Sequence, residues 1–295
     1  MKLGDDFTPF TIPIKHDVSI QGCQAGDGPP LVLLHGFPQT HLIWHKIAGE
    51  LAKTYKVVAL DLRGYGGSSK PASDASHKVY AKSTLASDVV TVMDRLNHDQ
   101  FYVCGHDRGA RVTHQLCVNY PDKVLKAMLL DIVPTLAMFQ ATDQVAATAY
   151  WHWFFLIQPP PFPERAMNGD PELWAQKFMA LPGVKQEVFH PDALKAYTDL
   201  FRDTAGCHAM CEDYRAGATI DLEEQREDIK AGRKIKCPVK ALWGAKGLVG
   251  TKFDALAEWR KVSDSEVEGQ AIDCGHYIPE ERPEELLGHI LGWFK

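Results

Sequence analysis

A chain of 295 residues and 32.9 kDa has room for one large α/β domain, or for one such domain that carries an insertion. Its 45% hydrophobic and 24% charged residues are typical of a soluble globular protein. The formal net charge of −6 argues against binding of nucleic acid or anionic membranes through a basic surface. An anionic substrate would therefore need a local positive site.

Cysteine usage and the start of the chain predict a cytoplasmic protein. The seven cysteines are odd in number and scattered, which favours reduced thiols over a disulfide framework. Cys207 and Cys211 have the spacing of a metal-ligand pair, but no second pair accompanies them, so we predict no metal site. Residues 1–6 lack the apolar core of a signal peptide, and the apolar stretch 150–157 is too short to cross a bilayer.

The first third of the chain alternates predicted strands with predicted helices. Residues 7–24 indicate two antiparallel edge strands, and the apolar runs 31–34 and 57–60 indicate strands buried on both faces of a sheet. Residues 44–51 and 84–96 have helical spacing. The first buried strand ends in the tight loop His35-Gly36-Phe37-Pro38, and the second ends in the glycine-rich loop of residues 61–68. That second loop lacks the Gly-Lys-Ser/Thr ending of a phosphate-binding loop.

A reactive residue follows the next predicted strand. Residues 101–104 are β-branched and aromatic, residues 110–120 have helical spacing, and Gly105-His106-Asp107-Arg108-Gly109 lies between them. This is the Gly-x-Asp-x-Gly form of a nucleophile elbow, in which small residues flank a reactive side chain at a strand-to-helix turn. Because an aspartate is ionised at neutral pH, Asp107 could attack a saturated carbon and form a covalent ester. The N-terminus of the helix would stabilise negative charge there.

The remaining chain contains a helical segment and then a return to strand–helix alternation. Strands are predicted in residues 124–131, 239–243 and 266–272, and helices in residues 252–262 and 283–294. Between them, residues 133–235 consist of helical segments rich in aromatic residues. We therefore predict an α/β fold with a mostly parallel sheet flanked by helices. Residues 1–132 and 236–295 would form the core domain, and residues 133–235 a helical cap.

Three reactive residues follow predicted strands in the order Asp107, Asp131, His276. Nucleophile, acid and base, with the histidine last, is the order found in the α/β-hydrolases. The chain resembles that family in its His-Gly loop, its Asp-x-Arg-Gly-x-Gly loop at residues 61–66, its elbow, its cap insertion and its Gly275-His276 pair. The resemblance covers nearly the whole chain and implies an α/β-hydrolase fold with a catalytic triad.

The acid of the triad is the one departure from the common family pattern. Many members carry it a few residues after the strand that here spans residues 239–243, but the following loop of this chain has no acid. Asp131, at the end of the preceding strand, is well placed to replace it. Asp273 is the competitor, but it is so close in sequence to His276 that we expect it to form a turn.

The residues after the nucleophile narrow the reaction. No Gly-x-Ser-x-Gly occurs, which sets aside serine esterases and lipases. Family members with an aspartate nucleophile are chiefly haloalkane dehalogenases, haloacetate dehalogenases and epoxide hydrolases. Haloalkane dehalogenases usually have a tryptophan where this chain has Arg108, and Arg111 lies one helical turn further on. Two guanidiniums beside Asp107 could bind a small carboxylate as a fork and keep Asp107 ionised. The alternative is that they pair with acids of the protein itself.

The cap contains the stretch Tyr150-Trp151-His152-Trp153-Phe154-Phe155. Imidazole and indole N–H groups are donors that suit a small leaving anion in an apolar wall. Together with Asp-Arg-Gly-x-Arg at the elbow, this stretch resembles the fluoroacetate (haloacetate) dehalogenases. The resemblance implies that His152, Trp153 and Tyr214 contact the departing halide, that Arg108 and Arg111 hold the carboxylate, and that the protein is a homodimer. For Tyr214, simple packing within the cap is the competing interpretation.

The expected reaction is hydrolytic dehalogenation of a small 2-haloacid, with fluoroacetate as the best candidate. Asp107 would displace the halide, and His276, oriented by Asp131, would activate the water that hydrolyses the ester. Backbone N–H groups of Phe37 and Arg108 would form the oxyanion hole. The reaction needs no metal or organic cofactor, and the expected partner is a small anionic substrate rather than nucleic acid or a membrane.

Two alternatives stay open. An epoxide hydrolase shares the aspartate nucleophile and needs cap tyrosines, for which Tyr150, Tyr197 and Tyr214 qualify, but a neutral epoxide gives the arginine pair nothing to bind. The chain could also be a catalytically silent protein that uses the same pocket as a receptor. The complete triad argues against that second alternative.

Overall fold

One β-sheet runs through the protein. The computed structural model describes residues 1–15, 17–181 and 183–295. Within them, the strands of the sheet are β1 (Thr8–Lys15), β2 (Val18–Ala25), β3 (Pro30–Leu34), β4 (Lys56–Leu60), β5 (Phe101–His106), β6 (Val124–Leu130), β7 (Val239–Gly244) and β8 (Val267–Ile272). Their spatial order is β1-β2-β4-β3-β5-β6-β7-β8. The pairs β1–β2 and β2–β4 are antiparallel, and every other neighbouring pair is parallel. The predicted mostly parallel sheet is confirmed.

Helices flank this sheet and fill a long insertion between β6 and β7. Before the insertion come α1 (Ala48–Leu51), α2 (Lys82–Arg95) and α3 (Arg108–Asn119), with short 3₁₀ turns at His41–Trp44 and Lys78–Tyr80. The insertion holds α4 (Thr135–Gln140), α5 (Gln144–Ala149), α6 (Trp151–Leu156), α7 (Phe162–Gly169), α8 (Pro171–Met179), a 3₁₀ turn at Gln186–Val188, α9 (Pro191–Arg202), α10 (Thr204–Ala218) and α11 (Ile220–Ala231). After it come α12 (Leu248–Lys252), α13 (Ala255–Lys261), α14 (Ile278–Glu281) and α15 (Pro283–Trp293).

Two of the predicted helices are broken where the prediction was continuous. The segment 44–51 contains the end of a 3₁₀ turn and the short α1, because the Thr40 side chain accepts from Leu42 N and starts the turn early. The segment 252–262 spans the end of α12 and all of α13. Phe253 is extended there, and the Asp254 carboxylate caps α13 by accepting from Ala257 N at 3.0 Å. At residue 254 a short polar side chain thus takes a backbone N–H group and begins a new helix, whereas α1 begins after Ile47 without a side-chain cap.

Alternate residues of the central strands enter two hydrophobic clusters. On β3, Val32 and Leu34 belong to one cluster and Leu31 and Leu33 to the other, and all four are fully buried. Side chains alternate across a strand, so the two clusters lie on opposite faces of the sheet. Each buried valine or leucine contributes about 1.5–3 kcal/mol. The continuous apolar runs in the sequence therefore reflect a sheet that is covered on both sides.

The turn between β5 and α3 holds Asp107 in a strained backbone conformation, with φ of 45° and ψ of −113°. The two glycines that flank it make this turn possible. A Cβ atom on Gly105 would lie 2.5 Å from Thr113 Oγ1, and one on Gly109 would lie 2.4 Å from the His35 carbonyl oxygen. A non-glycine residue at this φ costs roughly 1–3 kcal/mol, which the surrounding packing must offset. The predicted elbow geometry is therefore present, and it requires the sequence Gly-x-Asp-x-Gly.

Replacing Gly109 by alanine should destabilise the protein, because backbone atoms rather than a flexible side chain occupy the space of the new methyl group. We expect Gly109→Ala to lower the free energy of unfolding by about 1–3 kcal/mol in urea denaturation. Gly288→Ala is the matched control, since Gly288 is exposed on α15 and a Cβ atom there would meet nothing within 4 Å beyond its own helix. It should be neutral or stabilising by up to about 1 kcal/mol. Equal effects of the two changes would contradict this view of the elbow.

Candidate active site

The carboxyl ends of three strands bring the predicted triad residues to one edge of the sheet. Asp107 follows β5, Asp131 follows β6, and His276 lies in the loop after β8. The ring atom His276 Nδ1 is 2.5 Å from Asp131 Oδ2, while Gly244 N, at the end of β7, donates to Asp131 Oδ1 at 2.8 Å. Asp131 is 1% exposed, and it holds His276 from a buried position. The acid–histidine pair expected from the sequence is thus formed.

Asp273, the competing acid, points away from this pair. Its side chain is 73% exposed and forms ion pairs with Lys246 and Arg282 at the surface. It makes no contact with the His276 ring among the described hydrogen bonds and ion pairs. The geometry therefore leaves Asp131 as the partner of His276.

The His-Gly loop after β3 closes over Asp107. Phe37 N donates to Asp107 Oδ2 at 3.0 Å, and a Cβ atom on Gly36 would lie 2.6 Å from Asp107 Cβ. His35 holds the loop in place, since its Nε2 accepts from Leu62 N at 3.0 Å. A backbone donor thus points at a carboxylate oxygen of Asp107, where charge would develop during hydrolysis of an ester. Of the two predicted oxyanion donors, Phe37 N makes this contact, and Arg108 is the first residue of α3.

The charges around Asp107 favour its ionised form. Burial alone would raise the pKa of Asp107, but the charges of His276, Arg108 and Arg111 lower it below its ordinary value. Burial alone would likewise lower the pKa of His276. The hydrogen bond to Asp131 and the charges of Asp131 and Asp107 outweigh that effect and raise it above 6.5. The two charges therefore support each other, since Asp107 favours the protonated form of His276 and His276 favours the ionised form of Asp107.

His106 is a site residue that the sequence reasoning missed. Its ring lies 4.7 Å from that of His276, and its Nε2 is 2.8 Å from the His276 carbonyl oxygen, so it donates a hydrogen bond there. Burial lowers the pKa of His106 to about 3, which keeps it neutral. It ties the loop that carries His276 to the elbow. The only signal in the sequence was its position beside the nucleophile, in the variable place of Gly-x-Asp-x-Gly.

A small cavity lies against Asp107, with about 270 Å³ of space that includes the open solvent at its mouth. Six of its lining residues were predicted as site residues: Phe37, Asp107, His152, Trp153, Tyr214 and His276. Tyr150, Phe178, Leu181 and Tyr277 complete the lining. Tyr150, His152 and Trp153 come from the start of α6 and the residue before it, and Tyr214 from α10. The helical insertion thus supplies the aromatic wall that faces Asp107.

The His152 ring is set up as a neutral group in this wall. Burial lowers its pKa to about 3, and its Nδ1 has no hydrogen-bond partner within the described chain. The ring stacks on Phe37 with centroids 6.2 Å apart, and it meets Tyr214 edge-on at 5.9 Å. An unpaired buried ring nitrogen is costly unless a ligand can use it.

The arginines are arranged differently from the free fork that the sequence suggested. Neither arginine lines the cavity, but each contacts an aromatic ring that does. The Arg108 Cζ atom lies 4.3 Å from the centroid of the Tyr214 ring, and the Arg111 Cζ atom lies 4.7 Å from the centroid of the Trp153 ring. Arg108 is also paired with Asp213, to which its Nε donates at 2.9 Å. Such pairing with an acid of the protein was the alternative interpretation, and for Arg108 it is correct in part. A buried guanidinium is too costly to leave wholly unpaired.

Each guanidinium nevertheless keeps a nitrogen that no described group accepts from. For Arg108 this atom is Nη1, and for Arg111 it is Nε. Arg111 uses Nη1 to donate to the Val133 carbonyl at 3.1 Å and to Thr135 Oγ1 at 2.9 Å. Burial and the charge of Arg108 lower the pKa of Arg111 to about 10, whereas Asp213 raises that of Arg108 despite its burial. Both arginines therefore remain cationic at neutral pH, and each has an N–H donor that is not used by the described residues.

The other predictions about ligands concern metals and membranes. Cys207 and Cys211 are buried free thiols on α10, and no group of side chains suited to a metal ion occurs within residues 1–15, 17–181 and 183–295. Among the helices of that same part of the chain, none has the length and apolar character needed to cross a bilayer.

Comparisons with known proteins agree on the fold. The family model described as alpha/beta hydrolase fold matches residues 29–283. The chain is 39% identical over 270 residues to a fluoroacetate dehalogenase from Burkholderia sp., which covers 91% of this chain and 88% of that protein. It is 32% identical over 276 residues to a soluble epoxide hydrolase from Corynebacterium sp. strain C12, with 92% and 91% covered. A crystal structure from Nostoc sp. PCC 7120, of a protein provisionally described as an α/β hydrolase, matches with a TM-score of 0.95 and 50% identity over 98% of both chains.

The chain belongs to the α/β-hydrolase fold family. Within that family it is similar to fluoroacetate dehalogenases, as the elbow and the Trp-His-Trp stretch predicted, and the predicted resemblance is confirmed. The similarity to epoxide hydrolases is also substantial, so the site itself must decide between the two activities.

The titration of His276 tests which acid holds it. Asp131→Asn removes the negative partner that stabilises the imidazolium, so the pKa of His276 should fall below its wild-type value, which we expect above 6.5. The measurement is an NMR titration of the histidine ring resonances, with His276→Gln used to assign the signal. Asp273→Asn is the matched control, and it should leave the titration unchanged because Asp273 lies at the surface. If the pKa of His276 falls in Asp273→Asn but not in Asp131→Asn, Asp131 is not the acid that holds His276.

Proposed function

We propose that the protein catalyses hydrolytic dehalogenation of small 2-haloacids, with fluoroacetate as the expected substrate, through an ester on Asp107. One observation carries the proposal: two buried guanidiniums beside an ionised, cavity-lining aspartate, each with a nitrogen that has no partner in the described part of the chain. The carboxylate of a small acid would supply the missing acceptors. The similarity to a fluoroacetate dehalogenase from Burkholderia sp. supports the same substrate class.

The arrangement of donors fits a halogen on the carbon next to the carboxylate. The proposed halide donors are His152, Trp153 and Tyr214, and the rings of the last two contact the guanidiniums proposed to hold the carboxylate. Halogen and carboxylate would therefore be held by adjoining groups, as a two-carbon acid requires. The small size of the cavity favours such a short substrate.

In the first step, an Asp107 oxygen attacks C2 of the acid from the side opposite the halogen. The new C–O bond forms as the carbon–halogen bond breaks, and its electron pair leaves with the halide. Fixing the carboxylate through Arg108 and Arg111 orients C2 for this attack, and orientation of this kind can lower a barrier by roughly 7–11 kcal/mol. Hydrogen bonds to the halogen strengthen as its charge grows, so they favour the transition state over the substrate.

The second step becomes possible because Asp107 loses its negative charge in the first step. Once Asp107 is an ester, it no longer raises the pKa of His276, and the imidazole more readily exists as the neutral base. His276, oriented by Asp131, then takes a proton from water, and the resulting hydroxide attacks the ester carbonyl carbon. Phe37 N and Arg108 N would stabilise the oxyanion, at roughly 3–4 kcal/mol per donor. The bond between the carbonyl carbon and the alkyl oxygen then breaks, and one proton of the water ends on the hydroxyl group of the released glycolate. The other proton is left on His276, which passes it to solvent, and Asp107 is again a carboxylate.

Epoxide hydrolysis is the second candidate, and one observation favours it. Tyr150 and Tyr214 both line the cavity beside Asp107, and burial keeps the pKa of each well above 10, so both remain protonated donors for an epoxide oxygen. Tyr197, the third candidate tyrosine, does not line this cavity. Its hydroxyl donates a hydrogen bond to Glu280 Oε1 at 3.1 Å. The paired guanidiniums weigh against this reaction, since a neutral epoxide offers them no acceptor. A silent receptor remains the third possibility, and any turnover excludes it.

We also propose an oligomeric state and a cellular location for the protein. A homodimer is supported by exposed apolar side chains on three helices of the insertion, where Val145, Phe162 and Leu173 are 62%, 60% and 55% exposed. A reducing, cytoplasmic location is supported by the seven cysteines, all of which are free. The proposed chemistry uses protein groups and water, with no metal or organic cofactor.

Halide release tests the function directly. With an ion-selective electrode, we expect the wild type to release fluoride from fluoroacetate and chloride from chloroacetate. Asp107→Asn removes the anionic nucleophile and should lower the rate by about a thousandfold or more. Asp273→Asn, a surface aspartate of the same chemistry, should keep the rate within about twofold.

Other results would change the proposal. Chloride without fluoride would keep the aspartate chemistry and weaken the roles of His152, Trp153 and Tyr214. Hydrolysis of epoxides with no halide from either acid would establish the second candidate instead.

A further inference from the structure

Asp213, on α10 of the insertion, is a fully buried carboxylate with donors from three residues of the core. Arg108 Nε donates to Oδ2 at 2.9 Å, Tyr65 Oη donates to the same oxygen at 2.9 Å, and Lys82 Nζ donates to Oδ1. Burial alone would raise the pKa of Asp213, but the charges of Arg108 and Lys82 hold it below its ordinary value. The carboxylate is therefore ionised and bound on both oxygens.

These contacts continue into a row of alternating charges. Lys82 Nζ also lies 3.4 Å from Asp221 Oδ2, and Lys82 N donates to Asp221 Oδ1 at 2.8 Å. The row Arg108, Asp213, Lys82, Asp221 is electrically balanced, and each member is at most 2% exposed. Burying four charges is tolerable only because each positive group meets a negative one at hydrogen-bonding distance.

The contacts with Asp213 fix the orientation of the Arg108 guanidinium. Its Nε and Nη2 are both committed to Asp213, since Nη2 donates to the Asp213 carbonyl at 2.6 Å and to Oδ1 at 3.2 Å. Gly217, one helical turn further along α10, permits the close approach, because a Cβ atom there would lie 2.9 Å from Arg108 Nη2. Nη1 is left as the one guanidinium nitrogen of Arg108 without a partner among the described residues. Arg111 has no such acid within the same part of the chain, and its donors meet only neutral oxygens.

We propose that Asp213 is a positioning residue that turns Arg108 so that Nη1 is its one guanidinium nitrogen facing the carboxylate of the substrate, and that this oriented donor, together with Arg111, makes the site select anionic over neutral ligands. The proposal rests on the proposed function, in that it takes the ligand of Arg108 to be a small carboxylate. It differs from a purely structural role, in which the charge row would only join the insertion to the core. The two roles predict different responses of charged and neutral ligands.

The experiment measures the affinities of glycolate and of its neutral amide, glycolamide, by calorimetry, in the full-length protein. Asp213→Asn keeps the shape and one acceptor but removes the charge that holds Arg108. Asp221→Asn is the matched control, because it removes the same charge from the same row without touching Arg108. Loss of a negative charge near an anion site would by electrostatics alone tighten glycolate binding, whereas loss of positioning weakens it.

We expect Asp213→Asn to weaken glycolate binding by about tenfold or more relative to the wild type. Glycolamide binding, and glycolate binding to Asp221→Asn, should change by less than about twofold. The proposal fails if Asp213→Asn binds glycolate as tightly as the wild type or more tightly. It also fails if Asp213→Asn lowers the affinities for glycolate and glycolamide by the same factor. It also fails if the wild type does not prefer glycolate over glycolamide, or if both variants lose glycolate equally.

A charge-balanced variant covers the case in which Asp213→Asn does not fold. Lys82→Met combined with Asp213→Asn leaves Arg108 and Asp221 as one positive and one negative charge, and Lys82→Met alone is its control. The double variant should lose glycolate affinity relative to Lys82→Met by the same factor, and equal affinities would overturn the proposal. Halide release by the wild type is measured separately. A protein that shows the expected glycolate pattern without releasing halide would refute the proposed reaction and retain Asp213 as the residue that positions Arg108.

Discussion

The negative charge of Asp107 is the constraint on which the rest of the site depends. The side chain is only 6% exposed, and burial favours its neutral form, so its ionisation depends on its neighbours. His276 and the two arginines supply positive charge, and Phe37 N supplies a hydrogen bond. Each of these donors in turn needs its own support: Asp131 for His276, the His35 loop for Phe37, and Asp213 for Arg108. The elbow strain at Asp107 is the conformational cost of presenting this charge to the cavity.

The site is built from two parts of the chain with different tasks. The strand ends supply the proposed nucleophile, acid and base, which are held by hydrogen bonds and by the sheet. The insertion supplies the aromatic wall from α6 and α10, and through Asp213 it also orients a core arginine. The proposed recognition of the substrate would therefore depend on how the insertion docks on the core, while the proposed chemistry of the triad would not. In proteins with this sheet and elbow, changes in the insertion alone could alter which ligands are accepted.

The strands and the triad could be predicted from the sequence because their causes are local. Buried strands are continuous apolar runs, and Asp107 and Asp131 directly follow two of them. Asp131 was preferred over Asp273 without coordinates because Asp273 is too close in sequence to His276. The break at residue 253 was missed because the side-chain cap at Asp254 decides it, and the break at residue 47 was missed because no capping side chain marks it. The partner of Arg108 could not be predicted, since Asp213 is 105 residues away on a helix whose docking is a tertiary event. His106 was missed for the same reason: its role arises only when the His276 loop folds back onto it.

The most direct test of this mechanism is a single turnover of chloroacetate by excess enzyme in heavy-oxygen water. If Asp107 forms an ester that water hydrolyses at the carbonyl carbon, the first glycolate carries an oxygen from the protein and is unlabelled. The heavy oxygen then appears in the peptide that contains Asp107, as mass spectrometry of a digest would reveal. Labelled glycolate together with an unlabelled Asp107 peptide would mean that water attacks the substrate directly. That result would contradict the role of Asp107 as nucleophile, on which every other role proposed for this site depends.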